Sequence, residues 1–429
     1  MDTKVAREKA VLVGVSRPPE VLKAQVQDYL NELEQLADTA GAIVLHKIIQ
    51  ERTELDPAFY IGKGKVSELA SFVKAQQVDV VIFDEDLSPV QVRNLERTLE
   101  CKILDRTALI LQIFAVHAKS AQAKLQVELA QLEYFLPRLT RQWTHLSKQK
   151  GGIGTKGPGE TQIETDRRLV WQRIATLRRK LREFDRQHQT QTKWRENAMR
   201  IALVGYTNAG KTTLMNALCP RANVRGENQL FATLDTTTRQ LVLPPNKQVL
   251  LSDTVGFIRK LPHKLVESFK STLQEVRDAD ILLHVVDASH PNYGEQIAVV
   301  EQTLAEIQAI NKVIITVFNK LDKLPADFDF AHARECYPNA VFVSAERGIG
   351  IQQLKSCITS IISAEFQERQ VRVHVSHYKF ISFLHDKAEV LEKHYDGEYI
   401  EVRFRAPKKM LAQIDATLRK LNDYAAETQ

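Results

Sequence analysis

The stretch Gly205-Tyr206-Thr207-Asn208-Ala209-Gly210-Lys211-Thr212 follows the short apolar run Ile201–Val204 and precedes a helical stretch. It fits the pattern G-x-x-x-x-G-K-[S/T] in the strand–loop–helix setting that the pattern requires. The glycines let backbone N–H groups turn inward around phosphate oxygens at a helix N-terminus. Lys211 supplies positive charge to the β- and γ-phosphates, and the Thr212 hydroxyl can ligate Mg²⁺. The stretch predicts a phosphate loop in an α/β domain, but not which base is bound.

A second motif follows the apolar run Gln248–Ser252, which we interpret as a strand. It reads Asp253-Thr254-Val255-Gly256. Asp253 is placed to reach Mg²⁺, usually through a water, and the Gly256 N–H can meet a γ-phosphate. The pattern D-x-x-G is weak alone and gains weight from its place after the phosphate loop.

Two more motifs select the base. Val313–Phe318 has a buried-strand pattern and ends in Asn319-Lys320-Leu321-Asp322, and Ala340–Val343 leads into Ser344-Ala345. The Asp322 carboxylate can accept both N1–H and the exocyclic amine of guanine, a donor pair that adenine lacks, and a backbone N–H at Ser344-Ala345 could meet guanine O6. Because all four motifs follow strands in order, they are predicted to converge at one edge of a parallel sheet. The sequence therefore predicts GTP as the substrate.

The chain of 429 residues is long enough for roughly two or three domains with cores of their own. The βαβα order of residues 10–118, with a first helix predicted from Pro19 to Ala40, favours a small, mainly parallel sheet, and alternating strands recur after residue 365. The predicted fold class is α/β, a P-loop GTPase domain with additional domains. The predicted boundaries are 1–118 for an N-terminal α/β domain, 119–198 for a helical hairpin, 199–365 for the P-loop GTPase domain and 366–429 for a small C-terminal α+β domain.

Residues 119–198 have the rhythm of two long helices that pack as an antiparallel hairpin. The apolar seam positions are Leu125, Leu129, Leu132 and Leu136, and Ile163, Val170, Ile174, Leu177, Leu181 and Phe184. Gly151–Gly159 is rich in glycine and is predicted to form an exposed tip, for which a disordered connector is the alternative. Residues 141–200 carry 15 basic and 6 acidic side chains. This excess can attract a polyanion, although a solvated helix face gives the same pattern.

Other classes of protein fit the sequence poorly. No apolar run reaches the roughly 18 to 20 residues that cross a bilayer, so we expect no membrane insertion. The four cysteines, Cys101, Cys219, Cys336 and Cys357, are widely spaced, which argues against zinc or disulfide use. The N-terminus lacks a signal pattern, and a cytoplasmic protein is predicted.

The motifs resemble those of translation-factor-related GTPases, and the chain resembles the HflX family of ribosome-associated bacterial GTPases over nearly its full length. The segments that carry the resemblance are Tyr60–Lys65 (YIGKGK), Gly151–Thr161 (GGIGTKGPGET), the phosphate loop with its helix (GYTNAGKTTLMNAL), Leu230–Thr238 (LFATLDTTT) and Asp253–Pro262 (DTVGFIRKLP).

The resemblance implies a switch threonine, Thr233 in Phe231-Ala232-Thr233-Leu234-Asp235, that contacts Mg²⁺ and the γ-phosphate. The family commonly has proline where this chain has Thr236, so the resemblance does not fix the local turn. The implied catalytic residues are Lys211, Thr233 and Gly256, and the implied Mg²⁺ ligands are Thr212, Thr233 and Asp253. The implied partner is the large (50S) ribosomal subunit, bound through its RNA by the hairpin and its tip, with splitting or rescue of stalled ribosomes as the activity.

Phe257 stands where many switch GTPases carry a glutamine that orients water, so we expect slow hydrolysis without a partner. Asn208 occupies a position where several potassium-dependent GTPases carry asparagine, which makes K⁺ assistance a hypothesis. A monomer is expected. Two other functions stay open at this point. One is a GTPase of ribosome assembly or RNA maturation, and the other is a nucleotide-gated scaffold whose hydrolysis is incidental.

Overall fold

The computed structural model describes residues 7–142, 158–192, 199–220, 231, 236–244, 247–260, 270–309, 311–324 and 328–427. Within these residues the strands form three separate sheets of four, six and three strands. The predicted α/β class is confirmed.

The first sheet is fully parallel and has the order β2-β1-β3-β4. Its strands are β1 (Lys9–Ser16), β2 (Ile43–Glu51), β3 (Val80–Phe83) and β4 (Lys102–Asp105), and its helices are α1 (Lys23–Thr39), α2 (Lys63–Gln76), α3 (Pro89–Leu99) and α4 (Arg106–His117). Alternate residues of β1 enter different cores, Leu12 with α1 and α4 and Val13 with α2 and α3. Helices thus cover both faces, as a parallel sheet requires.

Helix α1 begins later than its sequence pattern indicates. The pattern suggested a helix from Pro19 to Ala40, and the structure has Lys23–Thr39. Arg17 and Val21 exchange two backbone hydrogen bonds of 3.0 Å, which hold residues 18–20 in a turn. The Val21 carbonyl is thereby engaged by Arg17, and the helical hydrogen bonds begin with the Val26 N–H, which donates to the Leu22 carbonyl at 3.1 Å.

Two long helices follow, α5 (Ala121–Gln142) and α6 (Pro158–Thr192). Leu129, Ile174 and Leu177 form the buried centre of their contact. Leu125, Leu132, Leu136, Val170 and Leu181 are partly buried and pack against this centre. Of the two other predicted seam residues, Phe184 is half-buried outside this cluster, and the side chain of Ile163 lies outside the described part of the chain. Most of the predicted tip lies outside the described residues. Its last two residues contradict the loop prediction, because Pro158 and Gly159 begin α6, where proline's missing N–H costs no helical hydrogen bond.

The second sheet has the order β10-β9-β8-β5-β7-β6, and only β6 runs antiparallel to its neighbour. Its strands are β5 (Arg200–Gly205), β6 (Thr237–Leu243), β7 (Lys247–Asp253), β8 (Ile281–Asp287), β9 (Val313–Asn319) and β10 (Val341–Phe342). The helices in this part are α7 (Lys211–Leu218), α8 (Lys270–Asp278), α9 (Tyr293–Glu306), α10 (Phe330–Cys336) and α11 (Ile351–Glu365). The parallel strands end at a common edge.

The third sheet is antiparallel, with β13 between β11 and β12. Its elements are β11 (Phe366–His374), α12 (Tyr378–Lys387), β12 (Glu389–Asp396), β13 (Tyr399–Pro407) and α13 (Lys408–Glu427). Alternate residues of β13 face a small core with the two helices. None of the helices in the described ranges has the length and apolar character needed to cross a membrane.

Candidate functional site

The phosphate loop connects β5 to α7 and has the backbone geometry that its glycines permit. Gly205 has φ +152° and Gly210 has φ +91°, values that side chains disfavour. A Cβ on Gly205 would collide with the carbonyl oxygen of Val285, and one on Gly210 with the Asn319 amide. Glycine is therefore required at both positions by neighbouring groups as well as by φ.

Lys211 lies at the start of α7 with its side chain folded under the loop. Its Nζ donates to the carbonyl oxygens of Gly205 at 3.1 Å and Tyr206 at 2.8 Å. Burial lowers the pKa of Lys211 to about 8, while Asp253 raises it and Lys320 lowers it further. A phosphate beside this ammonium group would favour the charged form again. The site therefore holds a buried cation positioned for an anionic ligand.

Thr212 and Asp253 come from different elements and meet at the same edge. The Thr212 hydroxyl donates to Asp253 Oδ2 at 2.7 Å. Hydroxyl and carboxylate oxygens are donors that Mg²⁺ prefers, so this pair fits the metal that accompanies a nucleotide triphosphate. Thr254, the next residue, is fully buried and its hydroxyl donates to the Leu203 carbonyl at 2.5 Å, which fixes the end of β7 against β5.

Gly256 lies directly on the phosphate loop, and Val255 before it is buried. A Cβ on Gly256 would be 2.8 Å from Thr207 Cα and 3.1 Å from Lys211 Nζ. Phe257 is 2 % exposed and forms a short parallel bridge with Tyr206. The apolar ring at this position packs into the core and has no group that could orient a water.

The two base motifs are joined to the loop by one side chain, Asn319. Its Nδ2 donates to the Ala209 carbonyl at 2.9 Å, and its Oδ1 accepts from the Ala345 N–H at 3.0 Å. The Ser344 hydroxyl donates to Asp322 Oδ1 at 2.5 Å, and this bond lowers the pKa of Asp322. An ionised, half-buried carboxylate is thereby held ready to accept hydrogen bonds.

The structure brings most of the predicted site together at the ends of β5, β7, β9 and β10. These residues are Gly205, Tyr206, Thr207, Asn208, Ala209, Gly210, Lys211, Thr212, Asp253, Thr254, Val255, Gly256, Asn319, Lys320, Leu321, Asp322, Ser344 and Ala345. Phe231 is buried, and its N–H donates to the Thr207 hydroxyl at 3.1 Å. Ala232, Thr233, Leu234 and Asp235 lie outside the described residues.

Two carboxylates near the phosphate loop were not predicted from the sequence. Asp287, at the end of β8, pairs with Lys320 Nζ at 2.6 Å. Its place at the same strand edge was a usable signal. The second is Glu32 of α1, which accepts from the Tyr206 hydroxyl at 2.6 Å across 174 positions of sequence, and no local pattern indicates it.

Family models match three consecutive parts of the chain. The model described as GTP-binding GTPase N-terminal matches residues 27–115, GTP-binding GTPase Middle Region matches 117–195, and 50S ribosome-binding GTPase matches 200–320. GTPase HflX of Caldanaerobacter subterraneus subsp. tengcongensis is 44% identical over 410 residues, covering 92% of this chain and 90% of that protein. The chain belongs to the HflX family of GTPases. GTPase HflX of Escherichia coli K12 is 45% identical over 372 residues, which is 86% of each protein.

Among solved structures, that of SsGBP in complex with GDP has a TM-score of 0.47 and 26% identity, and the match covers 82% of this chain and 98% of that one. Membership of the HflX family makes this chain a GTPase, which hydrolyses GTP to GDP and phosphate. GTPases of this fold bind the nucleotide together with Mg²⁺.

Proposed function

We propose that this GTPase binds the large ribosomal subunit and couples GTP binding and hydrolysis to the splitting or rescue of stalled ribosomes. The family model over residues 200–320 is described as a 50S ribosome-binding GTPase, which supports this choice. The structural observation that carries the proposal is the exposed basic surface of helix α6.

The basic surface comprises the exposed arginines Arg167, Arg168, Arg179 and Arg182. Two other arginines of α6 are engaged within the helix pair, because Arg173 bonds Glu128 at 2.7 Å and Arg178 bonds Glu133 at 2.7 Å. The exposed arginines of α6 therefore carry more positive charge than the glutamates of α5 neutralise. This excess supports binding of a polyanion over the alternative of a solvated helix face.

Trp171 lies within this basic surface and is 52% exposed. Leu169, two positions earlier, is 55% exposed. Exposed aromatic rings flanked by arginines are suited to stacking on unpaired RNA bases while the guanidinium groups contact phosphates. The basic surface thus fits RNA that offers both a backbone and splayed bases, as ribosomal RNA does.

At the nucleotide, we assign the roles by position. Backbone N–H groups of the phosphate loop and Lys211 stabilise charge on the transferring phosphoryl group, and Gly256 N–H meets the terminal phosphate. Thr212 and Asp253 would hold Mg²⁺, together with Thr233 by the family resemblance, and the ion would neutralise charge on the phosphate oxygens. Asp322 reads the guanine edge. Since Phe257 cannot orient the attacking water, turnover is slow until the ribosome orders the switch regions.

The test of the RNA surface is a charge reversal with a matched control. We expect Arg168→Glu combined with Arg179→Glu to weaken sedimentation with purified 50S subunits at least about tenfold in the presence of a non-hydrolysable GTP analogue. The double variant Arg97→Glu/Arg369→Glu changes the net charge equally at exposed sites elsewhere and should bind normally. Equal weakening by both variants would show a general charge effect and contradict the proposal.

The same sedimentation experiment distinguishes the ribosome-assembly alternative, and a cellular assay distinguishes the scaffold alternative. Binding to immature particles only would favour a role in ribosome assembly. A hydrolysis-deficient variant with full cellular activity would favour the scaffold.

Potassium assistance and the monomeric state are further parts of the proposal. Asn208 is exposed with φ +60° in the loop, and faster turnover in K⁺ than in Na⁺ at equal ionic strength is expected if it helps to hold a monovalent ion.

A further inference from the structure

An ion pair joins the ends of two neighbouring strands at the nucleotide edge of the second sheet. Asp287 ends β8, Lys320 follows the last residue of β9, and Lys320 Nζ lies 2.6 Å from Asp287 Oδ2. The side chain of Asp287 is 15% exposed and that of Lys320 is 20% exposed. A charge that is mostly removed from water costs free energy unless it is paired, so each of the two groups holds the other in place.

The backbone around the pair keeps the two residues at one level of the sheet. Asp287 and Asn319 are partners in the β8–β9 ladder, and the Ala288 N–H donates to the Asn319 carbonyl at 3.1 Å. Lys320 has φ +64°, a left-handed conformation that a residue with a Cβ keeps only where its surroundings hold it. The ion pair with Asp287 is one of these restraints.

The two carboxylate oxygens of Asp287 have different partners. Oδ1 accepts from the Ser289 N–H at 3.1 Å and from the Ser289 hydroxyl at 2.6 Å, which closes the turn after β8. Oδ2 accepts from Lys320 Nζ. Because the turn fixes the carboxylate, Oδ2 offers a charge of fixed position to a long side chain that otherwise has many rotamers. Asp287 is therefore a rigid anchor for Lys320.

The anchored side chain lies between the two halves of the nucleotide site. In the sheet order β9-β8-β5, the base motif with Asp322 follows β9 and the phosphate loop follows β5, so β8 lies between them. Burial lowers the pKa of Lys211, Asp253 raises it, and Lys320 lowers it further, so the two ammonium groups lie close enough to repel. A nucleotide that reaches from Asp322 to the phosphate loop must cross the end of β8, where this side chain is held.

The charges of the pair largely cancel at this position. Asp287 alone would repel the phosphates of a nucleotide, but at 2.6 Å from its partner it forms a compact dipole with Lys320. The field of such a dipole falls off faster with distance than that of a single charge. The direct electrostatic effect of Asp287 on the phosphates is therefore smaller than its effect on the position of Lys320.

We propose that Asp287 is a positioning residue for guanine nucleotide binding, which holds the Lys320 side chain in place against the nucleoside. Lys320 contacts the nucleotide, and Asp287 acts only through Lys320. The nucleoside is common to GTP and GDP, so the pair contributes equally to the affinity for both and does not take part in phosphoryl transfer. Nucleotide binding by the free protein is sufficient for this role, and ribosome binding is not involved.

The first test measures the affinities of the full-length protein for fluorescent GTP and GDP analogues. Asp287→Asn keeps an oxygen for Ser289 and turns an amide N–H towards Lys320, so the turn remains while the ion pair is lost. We expect both affinities to fall by the same factor, about tenfold, as for the loss of one hydrogen bond between charged groups. With slow hydrolysis, KM should rise by that factor and kcat should stay unchanged.

A double-mutant cycle with Lys320→Gln distinguishes positioning from a general structural role. If Asp287 acts through Lys320, the double variant should bind both nucleotides no more weakly than Lys320→Gln alone. The matched control is Asp278→Asn, which breaks an ion pair with Arg200 at the start of β5, the opposite edge of the same sheet, and should leave both affinities unchanged.

Three results would overturn the proposal. One is an unchanged affinity for both nucleotides in folded Asp287→Asn. Another is a set of losses that simply add in the double variant, because these would make Asp287 a structural residue independent of Lys320. The third is a gain in affinity that is larger for GTP than for GDP, because this would show that Asp287 acts through its charge on the phosphates.

Discussion

Replacing Lys211 with alanine is expected to reduce GTP turnover at least about 1000-fold. Removing one preorganised donor from a developing charge costs about 100- to 1000-fold, and Lys211 supplies a full positive charge in a buried site. The substitution also removes the Nζ bonds to the Gly205 and Tyr206 carbonyls, which leaves the loop less ordered for the phosphates.

The measurement is phosphate release under single-turnover conditions, with thermal unfolding run in parallel. Because burial lowers the pKa of Lys211, its charged form is disfavoured in the folded state, and the alanine variant should unfold at a similar or higher temperature. Lys323→Ala, an exposed lysine in the base-binding region, is the control and should keep wild-type turnover. Turnover within tenfold of wild type in the Lys211 variant would remove Lys211 from catalysis.

Exchanging Asp322 for asparagine is expected to weaken GTP binding about 1000-fold. Two hydrogen bonds from guanine to a carboxylate contribute about 1.5 to 3 kcal/mol each, and an amide oxygen can accept only part of this pattern. The asparagine amide can instead donate to the carbonyl that xanthine carries in place of the exocyclic amine. Affinity for xanthosine triphosphate should therefore rise while affinity for GTP falls.

Competition binding with GTP, ATP and xanthosine triphosphate measures this change of specificity. Glu346→Gln is the matched control, since Glu346 is exposed two positions beyond Ser344 and faces Lys323 rather than the base motifs. An Asp322→Asn variant that retains its preference for GTP over xanthosine triphosphate would show that the base is read elsewhere.

The sheet and the motifs at its edge could be predicted from the sequence because each motif follows a strand whose apolar pattern is local. Gly205, Asp253 and Asn319 each end a parallel strand, so their meeting follows from topology alone. The roles assigned to these residues stay predictions. The start of α1 was predicted too early because the Arg17–Val21 bridge is a backbone contact that closes a turn, and the apolar pattern of the side chains does not indicate it.

The contacts between the N-terminal sheet and residues 259–260 could not be predicted for a different reason. Arg259 and Asp84 are 175 positions apart, and each is an ordinary surface-type residue in its own segment. These charged side chains meet only because the N-terminal sheet and the second sheet pack together, and no local periodicity in the sequence indicates that packing. The same holds for Tyr206, whose side chain fills a variable position of the phosphate-loop pattern.

The measurement that bears most directly on the central claim, that the γ-phosphate of GTP controls this protein and the ribosome controls its hydrolysis, is GTP turnover titrated with purified 50S subunits. We predict a slow basal rate that rises with subunit concentration to a plateau, and no rise with the Lys211→Ala variant. A wild-type rate that stays the same with and without subunits would contradict the account.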